Sequence, residues 1–125
     1  MVDARRGDGP KGSQHYTFPA LVTTQKAVDE RPDEVAAAVR AVVGAQGALK
    51  SDPSLATEAA KRHFPPSELA LIDELVRRDA PFYDPEISGD MVNALNAFAK
   101  DVGLLSQAVV YEQVVATRFK RLWRR

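Results

Sequence analysis

The sequence predicts a mainly α chain with one N-terminal β-strand. Three observations carry this. Apolar residues recur at helical spacing in several blocks between Gln25 and Trp123. Prolines and a serine stand where helices begin or break. One stretch alone, Tyr16-Thr17-Phe18-Pro19-Ala20-Leu21-Val22-Thr23-Thr24, gathers the aromatic and β-branched residues that favour a strand.

Residues 1–14 are rich in Gly, Asp, Arg and Pro and read as a flexible, hinge-like loop, with the helical segment occupying 15–125. In the strand, Tyr16, Phe18, Ala20 and Val22 would face one way and Thr17, Pro19, Leu21 and Thr23 the other. Pro19 cannot donate to a ladder, which favours an edge position. A short helical segment at 25–30 precedes a long helix entered through Pro32, with Asp33 and Glu34 suited to its positive end. Val35, Val39, Val42, Val43 and Leu49 form its apolar stripe.

Ser51-Asp52-Pro53 ends that helix and starts another, which runs to about His63 before Pro65-Pro66 breaks it. A further helix from near Ser67 would bury Leu69, Ile72, Leu75 and Val76 and stop before Pro81. Residues 81–87, with two prolines and two aromatics, read as an ordered loop. Ser88 is a good N-cap for a helix with the stripe Met91, Leu95, Phe98 and Val102, and Gly103 stands where a left-handed residue ends it. A last helical segment after Tyr111 carries Val115, Phe119, Leu122 and Trp123. The helices can form a core, but a lone strand leaves its amides unpaired, so the sequence reads as an incomplete unit.

The 125 residues fit one domain of ordinary size, and 45% hydrophobic with 27% charged residues suits a folded core. Seventeen basic residues balance 17 acidic ones, which argues against nucleic-acid binding. The chain has no cysteine, which excludes disulfides and thiol chemistry. No apolar run approaches the ~20 residues of a membrane-spanning helix. Met1-Val2-Asp3-Ala4-Arg5-Arg6 has no secretory character, so a cytoplasmic location is expected for the chain as written.

Candidate chemistry is sparse. His15 and His63 have no metal-site spacing, and His63 suits a helix C-terminus. The glycines of residues 7–12 precede a strand instead of joining strand to helix, so they make no phosphate loop. Asp84, Glu86 and Asp90 lack calcium-loop spacing, and capping explains Asp90. The basic C-terminus from Arg118 to Arg125 suits a helix end better than an anionic partner. Arg6-Gly7-Asp8 is too short a match to carry adhesion. No catalytic residue, metal or cofactor is expected, and the chain is not expected to be an enzyme.

Taken in order, the blocks from Arg5 to Thr24, Glu30 to Pro65, Phe82 to Leu105 and Val109 to Trp123 resemble the C-terminal part of the solute-binding proteins of ABC importers. The likeness is to the nitrate/sulfonate/taurine and thiamine-precursor superfamily, with its type 2 periplasmic-binding fold. The matching features are the start at Tyr16-Thr17 leading to Thr23-Thr24, the block from Arg31 through Ala41, and the block from Ile87 to Leu105. The resemblance spans about Ala4 to Trp123 and rests on the order of blocks.

It implies the last segment of a two-lobed α/β protein that clamps a small organic or inorganic ligand and delivers it to a membrane permease, outside the cytoplasm. The strands of the first lobe, the second lobe and a signal peptide are not in this sequence, so a truncated fragment is expected, able to bind ligand only if the missing lobes are supplied. The residues expected to reach a ligand are His15, Tyr16 and Thr17, whose hydroxyls and ring can meet an anion or heterocycle. Some relatives in the superfamily are pyridoxal-phosphate enzymes, but no cofactor lysine is identifiable here. The competing expectation is a non-catalytic interaction or oligomerisation module that pairs its strand and helices with a second copy or another partner.

Overall fold

The computed structural model describes residues 3, 6, 8, 9, 13–16 and 20–124. Its helices, in chain order, are α1 (Gln25–Glu30), α2 (Pro32–Ser51), α3 (Ser54–Ala60), α4 (Leu69–Asp79), α5 (Gly89–Asp101) and α6 (Tyr111–Val114). Short 3₁₀ turns cover Ser13–His15, Pro66–Glu68, Ala80–Phe82 and Thr117–Leu122. The chain divides into two compact units, Met1–Pro32 with Glu86–Arg121, and Asp33–Pro85 with Leu122–Arg125.

The expected strand is not formed: no strand occurs among the described residues. Tyr16 and Ala20–Thr24 have no regular secondary structure, and Thr17, Phe18 and Pro19 lie outside the described residues. The physical reason is the missing ladder. Strand propensity expresses a fit to a pleated, half-buried surface, yet here Leu21 and Val22 are exposed, Val22 at 84%. The fold class is therefore mainly helical, without the N-terminal strand.

In the first unit, Thr24 ends the irregular segment as an N-cap, its Oγ1 accepting from the Ala27 N–H at 3.1 Å. That bond satisfies one of the free donors at the start of α1, whose Ala27 and Val28 are buried. The Arg118 guanidinium donates to the Val28 carbonyl at 3.1 Å, tying the C-terminal 3₁₀ turn to α1. Val115 and Phe119, two of the apolar residues expected in the last segment, are buried, although the helix is interrupted between them.

Helix α5 begins as its sequence predicts, with Ser88 Oγ accepting from the Met91 N–H at 3.2 Å. It ends in a Schellman arrangement: Gly103 at φ 76° donates to the Lys100 carbonyl and Leu104 to the Ala99 carbonyl. Its buried residues are Val92 and Asn96, whereas Phe98 and Val102 of the expected stripe are exposed. Met91 and Leu95 of that stripe are partly buried, and the Asn96 side chain, on the most buried face, holds the main chain of Val109.

In the second unit, α2 ends at Ser51, and Asp52 turns the chain by accepting from both the N–H and the hydroxyl of Ser54. Val43 is the buried residue of α2, while Val42, placed on the same stripe by spacing, is 40% exposed. Helices α3 and α4 pack on each other, with the Thr57 hydroxyl reaching Asp73 at 3.3 Å. Helix α3 stops at Ala60, and residues 61–63 continue only as a turn. On α4, Leu69, Ile72 and Val76 are partly buried, but Leu71 and Leu75 are exposed. The Lys50 ammonium at the end of α2 donates to the Tyr83 carbonyl at 2.7 Å and anchors the loop after α4.

Candidate functional site

The residues singled out for ligand contact begin in the Ser13–His15 turn, which packs on α5. The Tyr16 N–H donates to the Ser13 carbonyl at 3.1 Å and closes that turn. The Tyr16 ring is partly buried and meets Phe98 of α5 at 5.6 Å between centroids, tilted by 54°. This is an ordinary packed aromatic pair, and it explains why Phe98 belongs to the side of α5 that meets the turn. His15 is exposed, and Thr17 lies outside the described residues. The structure thus places His15 and Tyr16 side by side at the end of one turn, with Tyr16 engaged in packing.

Spacing did not point to Ser13. It is buried, and its hydroxyl has no hydrogen-bond partner among the described residues. A serine in a glycine-rich segment gives no periodic signal of burial. Asn96 was also missed. In the sequence it sits four residues after Val92, a spacing that marks one helical face, but its polarity hides it from a search for apolar stripes.

Several other polar groups are committed to structure, while the buried Gln46 Oε1 of α2 has no hydrogen-bond partner among the described residues. The Lys120 ammonium lies 4.6 Å from the centre of the Tyr111 ring, and the Tyr111 hydroxyl donates to the Ile87 carbonyl. Arg118 stands 5.5 Å over Phe119 besides binding Val28. Three of the residues at the basic C-terminal end of the sequence thus serve as internal fasteners or their partners. On α4 the Arg77 guanidinium donates to Asp73 at 2.7 Å and holds that carboxyl below its ordinary range, with Thr57 adding a smaller lowering. The Ser54 hydroxyl and N–H do the same for Asp52. No cluster of metal-ligating side chains occurs among the described residues, and no helix among them is long and apolar enough to cross a membrane.

No protein-family model matches the chain, and searches against curated proteins and solved structures return no match.

Proposed function

We propose that this chain is the helical C-terminal part of the solute-binding component of an ABC-type import system, and that it holds no complete ligand site alone. The ligand class is a small organic or inorganic anion or a thiamine precursor, and the receiving partner is a membrane permease. One observation supports the reading beyond the order of sequence blocks: large apolar side chains stay exposed on the helices and the loops beside them. Leu71 and Leu75 of α4, and Val102 and Leu104 after α5, are the examples. In an α/β lobe the helices cover a sheet with such residues, and the described residues contain no sheet. His15 and Tyr16 would then form one wall of a site whose other wall belongs to the complementary lobes.

Calorimetry tests this. Nitrate, taurine and a hydroxymethylpyrimidine are titrated into the chain alone, and into the chain produced together with whatever its gene encodes upstream. The expected outcome is no heat for the chain alone and saturable heat for the larger protein. An upstream frame that encodes no strand-rich lobe, or a larger protein silent to all three ligands, overturns the reading.

A second reading is favoured by Leu71 and Leu75, exposed on successive turns of α4: a non-catalytic module that covers its helices with a second copy. Sedimentation equilibrium separates the two. A concentration-dependent dimer that persists in the larger protein supports the module, and a monomer up to high concentration removes it.

A further inference from the structure

We draw no further inference here: the strongest candidate, the outward face of α2 formed by Ala37, Ala41, Ala45 and Ala48, is a stripe of small residues, and nothing in the structure shows what covers it.

Discussion

Asn96 gives the sharpest test of how the first unit holds together. Its Nδ2 donates to the Val109 carbonyl at 2.8 Å, and its Oδ1 accepts from the Val109 N–H at 3.0 Å. The side chain is 9% exposed, so water does not readily replace either bond. A hydrogen bond contributes about 1 kcal/mol net, and a donor or acceptor left buried without a partner costs about 1–3 kcal/mol. Val109 is partly exposed, which lets some hydration return, so Asn96→Ala is expected to cost about 2–3 kcal/mol. That is roughly a 30- to 150-fold rise in opening of this segment.

Hydrogen exchange at the Val109 amide reads it directly, beside urea denaturation of the same variant. Asn96→Asp sharpens the test. At neutral pH its carboxylate keeps the acceptor but sets a negative oxygen against the Val109 carbonyl. Protonation restores a donor there. The folded pKa of the new carboxyl therefore rises above its unfolded value of about 3.9. Its stabilising contribution is full below that value and lost as pH rises through the folded pKa. Exchange at Val109 unchanged in Asn96→Ala, or an Asn96→Asp variant that gains nothing relative to the parent in acid, refutes the role.

The other expectations are local. Removing the caps by Ser88→Ala or Thr24→Ala should cost about 1 kcal/mol each, seen as a lower urea midpoint for Ser88→Ala and as faster exchange at Ala27 for Thr24→Ala. Gly103→Ala should cost about 1–2 kcal/mol from its positive φ alone, because an added Cβ meets nothing within 4 Å. The same change at Gly47, in the interior of α2 and equally open, should stabilise by about 0.5–1 kcal/mol; equal midpoints for the two variants would contradict both assignments. For Asp73, whose carboxyl is depressed in the folded chain, the linked stability is present above the ordinary value of 3.8 and is lost as pH falls through the folded pKa. Arg77→Ala should return the Asp73 carboxyl toward its ordinary midpoint in an NMR titration, and an unmoved midpoint would show that Arg77 is not the cause.

What was legible in the sequence was the chemistry that acts within a few residues. Pro32, Ser88 and Gly103 fix backbone geometry at their own positions, and each sits at the helix end its residue type predicts. The stripe on α5 was legible in part: Met91 and Leu95 are partly buried, but the most buried positions, Val92 and Asn96, lie one residue along. Asn96 bonds to a main chain thirteen residues later that spacing cannot show. Spacing also put Val42 and Leu75 inward, although burial there depends on what the neighbouring elements cover. The strand failed for a similar reason: propensity at Tyr16 and at residues 20–24 describes a surface suited to a sheet, and a sheet requires a second strand. Of the candidate ligand residues, Tyr16 stood out as the aromatic at the head of the expected strand. Its pairing with Phe98, and the burial of Ser13 beside it, arise from a turn docking on a helix more than seventy residues later.

The grip of Asn96 on main-chain atoms has an evolutionary consequence. Position 96 is tied to one side chain, because an amide alone offers a neutral donor and acceptor in that geometry. Position 109 supplies only the N–H and C=O common to every residue except proline. Substitution at 109 is therefore free to follow whatever the exposed neighbourhood rewards, while drift at 96 is closed. Across diverging copies of this chain, the two partners of a single contact should change at very different rates.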